Sequence, residues 1–301
     1  MSSLIEQASR RLEQLRQAGF AIPDAPPAVD VPPATPKAPV AAVPAEPPRP
    51  HVVSRQVDLD LDAMVSAGLV SPNAPRSHIA DQYRVIKRPL IANAMGKGSA
   101  PVANGNLIMV TSAVAGEGKS FTALNLAMSI ATELDNTVML VDADVARPSI
   151  LRMLGLPASR GLLDLLVDDK VELSQVLLKT NIDKLTLLPS GTPHTRATEL
   201  LASDAMTLLI QDIAKRYSDR IVIFDSPPLL LTTESRVLAS HMGQIVIVVH
   251  AEKTLQSDVE HALSTIESCP LKMLVLNQAK ANAVGGYGYG YGQGYGYGYG
   301  Q

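Results

Sequence analysis

The stretch "NLIMVTSAVAGEGKS", residues 106–120, decides the fold. "NLIMVTS" is an apolar run of strand length, and a glycine-rich turn follows it. Helical spacing then continues from about Lys119 to Leu134. Against the pattern G-x-x-x-x-G-K-[ST], the turn "AVAGEGKS" (113–120) matches at Gly118, Lys119 and Ser120 and departs at Ala113. Backbone N–H groups at a helix N-terminus form a cradle for phosphate. A lysine and a hydroxyl at these spacings suit the β/γ phosphates and Mg²⁺. An ordinary capped turn is the rival reading. The strand before and the helix after favour a phosphate loop.

Downstream, "TVMLVDAD", "KLTLLPSG", "RIVIFDSPP", "GQIVIVVH" and "LKMLVLN" repeat the apolar pattern. Between them, "TELLASDAMTLLIQDIAKRY" and "TLQSDVEHALSTIES" have helical spacing. The runs are continuously apolar rather than alternating, as strands buried on both faces of a parallel sheet would be. Strands alternating with helices predict an α/β fold with a doubly wound, mostly parallel sheet. In such a sheet, ligands bind beyond the carboxyl ends of the strands.

Asp142, Asp144 and Asp225 follow apolar runs at that predicted edge. A carboxylate there is costly to bury without a cation or a donor nearby. Each alone could be a helix N-cap; three together are better explained by a metal and phosphates.

The rest of the chain frames this unit. Formal net charge is −3, with no strongly basic run, so nucleic acid is not an expected partner. The single cysteine, Cys269, suits a reducing compartment and reads as a small buried hydrophobe. Residues 1–20 have helical apolar spacing at Leu4 or Ile5, Ala8, Leu12 and Leu15 and read as an amphipathic docking helix. Residues 22–50 hold 11 of the 22 prolines, and 21–75 is expected to be a mostly disordered linker. The catalytic domain is expected over 76–283. No apolar run approaches the ~18 residues that span a membrane, which predicts a cytoplasmic protein. Residues 284–301 are rich in Tyr and Gly: Tyr287, Tyr289, Tyr291, Tyr295, Tyr297 and Tyr299 are six of the eight tyrosines. Such a segment behaves as a flexible coil. His194 and His241, with no carboxylate or nucleophile at a motif spacing, are expected to lie outside the chemistry.

"AVAGEGKS", "VMLVDADVARP" and "IVIFDSPPLL", in this order, resemble the Walker A, A′ and B motifs of the bacterial tyrosine kinases, over residues 78–283. "GTPHTRATELL" and "DSPPLLLTTE" extend the likeness to the cytoplasmic autokinases of exosortase-type exopolysaccharide systems. The resemblance implies a P-loop NTPase of the MinD/ParA-like type, with ATP and Mg²⁺ as cofactors. It implies an ATP-dependent protein-tyrosine autokinase that phosphorylates its own tail, in trans, and so regulates polysaccharide polymerisation and export. Carried over, Ala115, Gly116, Glu117, Gly118, Lys119, Ser120 and Phe121 surround the phosphates. Arg147 holds phosphate oxygens and Asn277 lies near the adenine. Ser120, Asp144 and Asp225 serve the metal, and Asp142 orients or deprotonates the acceptor tyrosine. A transmembrane chain-length activator, a homo-oligomer, a cognate phosphatase and a place beside the inner membrane are implied too. Asp81, Arg84 and Lys87 are the nearest match to the family's oligomerisation pattern E-x-x-R-x-x-R. The alternatives are a MinD/ParA-like positioning ATPase, against which stands Val114 where those proteins carry a second lysine, and an ATP-switched assembly factor whose tail self-associates.

Overall fold

The computed structural model describes residues 54–98, 100–217 and 219–280. The expected N-terminal helix and the tyrosine tail lie outside the described residues.

Among the described residues, eight strands form a single sheet: β1 (Arg55–Val57), β2 (Leu107–Ser112), β3 (Thr137–Asp142), β4 (Leu178–Thr180), β5 (Leu185–Leu188), β6 (Arg220–Asp225), β7 (Gln244–His250) and β8 (Leu271–Asn277). Their order is β1-β4-β5-β3-β6-β2-β7-β8. Every pairing is parallel except β4 with β5, as continuous apolar strands predict. The helices are α1 (Leu61–Ser66), α2 (His78–Ala94), α3 (Lys119–Ala131), α4 (Ile150–Met153), α5 (Leu162–Val167), α6 (Leu173–Val176), α7 (Ala197–Leu201), α8 (Asp204–Arg216), α9 (Glu234–Ser240) and α10 (Gln256–Ser264).

Alternate residues of each central strand enter two cores. Ile108, Val110, Leu140, Ile223 and Val246 face a cluster shared with α1, α2 and α3. Met109, Met139, Phe224 and Ile247 face another, shared with α5, α8, α9 and α10. Residues Thr122 to Ala131 of α3 are all buried, because this helix is covered by the sheet on one side and by α2 on the other. Fully burying one such Leu or Ile side chain contributes ~1.5–3 kcal/mol. The two layers therefore hold the carboxyl edge of the sheet rigidly.

Two boundaries differ from expectation. Residues 54–75, assigned to the linker, are folded onto the domain: Leu59, Met64, Leu69 and Val70 are buried. Polar side chains distant in sequence satisfy the backbone there. Asn181 accepts from the Leu59 N–H at 2.9 Å and donates back to the Leu59 carbonyl at 3.0 Å. Asn125 Oδ1 accepts from the Val70 N–H at 2.6 Å, and Asp60 caps α1. The helical run 198–217 is also broken in two. Ser203 stops α7 by extending its own backbone, and its hydroxyl accepts from the Met206 N–H at 3.3 Å to start α8.

Candidate active site

The loops after β2, β3 and β6 lie side by side at one edge, because these strands are parallel and β6 sits between the other two. The register pairs Asp142 with Asp225 across β3 and β6, so their backbones are ~4.8 Å apart. After β2 the chain turns through Gly116 (φ +85°) and Gly118 (φ +91°) into α3. Gly118 has no alternative there: a Cβ would lie 2.2 Å from the Asn277 amide nitrogen.

Lys119, the first residue of α3, points into the carboxylates. Its Nζ is 2.7 Å from Asp144 Oδ2 and 3.5 Å from Asp225 Oδ1, and it donates to the Ser120 hydroxyl at 3.2 Å. Burial works to lower the lysine's pKa, but the charges of Asp225 and Asp144 outweigh it and the pKa is raised. Asp225 is fully buried. Burial pushes its carboxyl up to about 6, against the pull of Lys119 and of the Ser120 hydroxyl. Asp144 Oδ1 also accepts from the Arg147 N–H at 3.1 Å, while the Arg147 side chain is exposed.

Asp142 is held differently. Its Oδ2 accepts from the Ser149 and Ile150 N–H groups, both at 3.1 Å. Burial, then the neighbouring Asp225 charge, pushes its pKa up to about 7 despite these bonds. The remaining oxygens, Asp142 Oδ1 and Asp225 Oδ2, are buried without a hydrogen-bond partner among the described residues. Native structures rarely leave such atoms unpaired, and two hard oxygens beside a phosphate-type loop suit Mg²⁺ and its water.

These shifts have a testable sign. Asp142 binds its proton more tightly folded than unfolded, so its contribution to stability is full below pH ~4 and is lost as pH rises through about 7. Asp142→Asn keeps an acceptor oxygen and carries no charge. Without nucleotide or metal, the variant should be more stable than wild type by about 1–3 kcal/mol at pH 8, a gain that vanishes toward pH 4. Urea unfolding at the two pH values measures this. An equal difference at both would show that the carboxylate is not held under strain of this kind.

The other expected residues fall as follows. Ala115 and Gly116 are exposed on the loop and Phe121 packs partly against the core. The Glu117 side chain, expected among the phosphate-binding groups, instead turns inward and is buried. It therefore leaves only its backbone N–H for a ligand. Asn277 donates to the Glu117 carbonyl at 2.8 Å, which places its amide on the loop backbone. Lys87 is buried, its Nζ 2.5 Å from the Ser129 carbonyl and 2.6 Å from Glu133 Oε1. It caps the last turn of α3, while Asp81 and Arg84 stay exposed and pair with each other. His241 meets the Thr207 hydroxyl at 3.3 Å, and His194 accepts from the Arg196 N–H at 3.1 Å; neither joins the carboxylates. Cys269 is buried as expected. Sequence reading missed the partners of Glu117, His250 and Thr254, which carry no motif.

Comparison with known proteins fits this geometry. The AAA domain family matches residues 105–277. Tyrosine-protein kinase YwqD of Bacillus subtilis is 30% identical over 221 residues, 73% of this chain and 89% of its own length. The chain belongs to the bacterial tyrosine-protein kinase family. It is accordingly an enzyme, a protein-tyrosine kinase built on a P-loop. The succinoglycan biosynthesis transport protein ExoP of Rhizobium meliloti is 31% identical over 71% of this chain, which spans only 27% of that longer protein. Among solved structures, the chimerical protein CapA2B2 superposes with a TM-score of 0.60 at 26% identity, over 75% of this chain and 94% of the other. As in this kinase family generally, the chemistry to be explained is transfer of a phosphoryl group to a phenol. Among the described residues, no helix is long and apolar enough to cross a membrane.

Proposed function

We propose that this kinase uses ATP and Mg²⁺ to phosphorylate the tyrosines of its own C-terminal tail, across copies of the chain, and thereby regulates export of a polysaccharide. One observation carries the reading. β8 ends at the phosphate loop, with Asn277 on the Glu117 carbonyl and Gln278 Nε2 3.4 Å from the Gly116 carbonyl. The described residues end two positions later, at Lys280, and Tyr287, Tyr289, Tyr291, Tyr295, Tyr297 and Tyr299 follow in the sequence. The other two tyrosines are poor acceptors: Tyr83 is buried, and the Tyr217 ring lies 4.8 Å from the Arg220 guanidinium.

In this reading the loop N–H groups from Ala115 to Ser120 would hold the phosphates, and the Lys119 ammonium, now on Asp144 and Asp225, would neutralise their charge. Ser120, Asp144 and Asp225 would hold the metal and its water. Among the described residues, no three His, Cys, Asp or Glu side chains are grouped to hold a metal alone, so phosphate oxygens would complete the set. Bound Mg²⁺ would supply charge neutralisation for the transferring phosphoryl group. Asp142, with one free oxygen and a pKa of about 7, is suited to take the phenol proton near neutral pH. Arg147, exposed beside Asp144, can reach phosphate oxygens. Asn277 stands at the strand end where a base would lie.

The likeness to ExoP, named for succinoglycan transport, supports a transmembrane chain-length activator as partner; the reading also includes a cognate phosphatase, a homo-oligomer and a place at the cytoplasmic face of the inner membrane. Lys87 is committed to α3, so an oligomer built through α2 would use its exposed residues, Asp81 and Arg84. The test is incubation with ATP and Mg²⁺, with and without the activator's cytoplasmic segment, followed by mass spectrometry of the C-terminal peptide. Phosphotyrosine in 287–299 is expected. Its absence in both conditions would leave a positioning ATPase or assembly switch as the better account.

A further inference from the structure

We propose that Thr254 is a positioning residue for nucleotide binding, acting on the phosphate loop through Glu117. The loop carries two glycines with positive φ, so its own backbone is easily deformed. What fixes it is the buried Glu117 carboxylate, 1% exposed. Its Oε2 accepts from the Val114 N–H at 2.8 Å, closing the loop on itself. Its Oε1 accepts from the Thr254 hydroxyl and from the His250 N–H, the latter at 3.3 Å. The turn from His250 to Thr254, between β7 and α10, therefore anchors a loop 137 residues earlier in the chain. On the far side, Asn277 and Gln278 hold the carbonyls of Glu117 and Gly116.

A buried carboxylate must keep its donors. Losing the Thr254 hydroxyl leaves Oε1 with a single long N–H bond. The carboxylate then has reason to swing toward other donors, and the nearest are the loop N–H groups that phosphate would use. Thr254 touches no reacting atom; it keeps those N–H groups free and aligned. None of its own neighbours in sequence signals this.

The inference rests on the phosphate loop being the ATP site, and the wild-type protein tests that separately by binding of a fluorescent N-methylanthraniloyl ATP with Mg²⁺. Full-length Thr254→Val removes the hydroxyl at nearly constant shape, and Thr254→Ser keeps it. For Thr254→Val, Kd for the fluorescent ATP and KM for ATP should both rise about 5–20-fold, in line with loss of a charge-assisted hydrogen bond, with kcat within about twofold. Thr254→Ser should stay within about twofold of wild type in all three. Near-UV circular dichroism and the thermal midpoint report whether both variants are folded. Val and Ser equally impaired would mean that packing, not the hydroxyl, matters, and Val indistinguishable from wild type would remove the role. Either result overturns the proposal, and a Val variant that unfolds while Ser does not is judged on Glu117→Gln, which should then show the same rise in KM.

Discussion

Lys119→Met is expected to lower phosphotyrosine formation at least ~10³-fold, because transfer depends on charge placed where the phosphates develop it. Methionine keeps the length of the lysine stem and removes only the ammonium. The variant also strands two carboxylates. Asp144 and Asp225 are both buried and both face Lys119 Nζ. Breaking a buried pair from one side costs about 3–5 kcal/mol, so the variant should be less stable at pH 8 than wild type. That loss should shrink toward pH 5, as Asp225, already raised to about 6 by burial, takes up a proton. Phosphotyrosine immunodetection after incubation with ATP and Mg²⁺ reads the first effect, and urea unfolding the second. A tail that remains phosphorylated in purified Lys119→Met would mean that another enzyme modifies it.

Changing all six tail tyrosines to phenylalanine should abolish tail phosphorylation and leave ATP binding unchanged. Of the remaining phenols, Tyr83 cannot substitute without local unfolding, and Tyr217 is half-buried. Tyr83 is pressed onto α3 beside Thr122 and Asn125, and burial raises its pKa. Tyr217 ends α8 against Arg220. Phosphotyrosine undiminished in this variant would move the acceptor off the tail and reverse the proposal. The same two variants decide the direction of transfer when mixed. The six-Phe chain supplies a competent site and no acceptor, and Lys119→Met supplies acceptors and no site. Label appearing on the Lys119→Met chain shows transfer between copies; none there, with wild type active alone, shows that each chain serves itself. Full modification would add about −9 to −12 charge to each tail, enough to drive neighbouring copies apart.

Local chemistry made much of the molecule legible from residues alone. The glycine turn between an apolar run and a helix, with lysine and serine at its end, states a strand, a phosphate cradle and a helix N-terminus in fifteen letters. Uninterrupted apolar strands state a sheet covered on both faces. Asp142, Asp144 and Asp225 announced themselves because a carboxylate closing a hydrophobic run demands a partner. The sheet brings all three to one edge, as the parallel reading requires.

Other features were invisible because they depend on residues far apart. Residues 54–75 look like linker until Asn125 and Asn181 are found holding their backbone. The third position of the charge pattern in α2 looks like surface until Lys87 is found beneath it, capping α3. The difference between Asp142 and its two neighbours also has no local signal. Asp144 and Asp225 meet an ammonium, whereas Asp142 meets only two N–H groups at the start of α4. Glu117 is the sharpest case, since its place in the loop suggested phosphate and its carboxylate went instead to Thr254.

The sequence by itself determined the sheet, the phosphate loop, the three acidic strand ends and the tail of tyrosines, because periodicity and local backbone geometry act over a few residues. Only the tertiary structure decided which carboxylates meet the ammonium, which meets backbone N–H groups and what braces the loop. Burial and long-range donors set those, and neither exists until strands distant in the chain lie side by side.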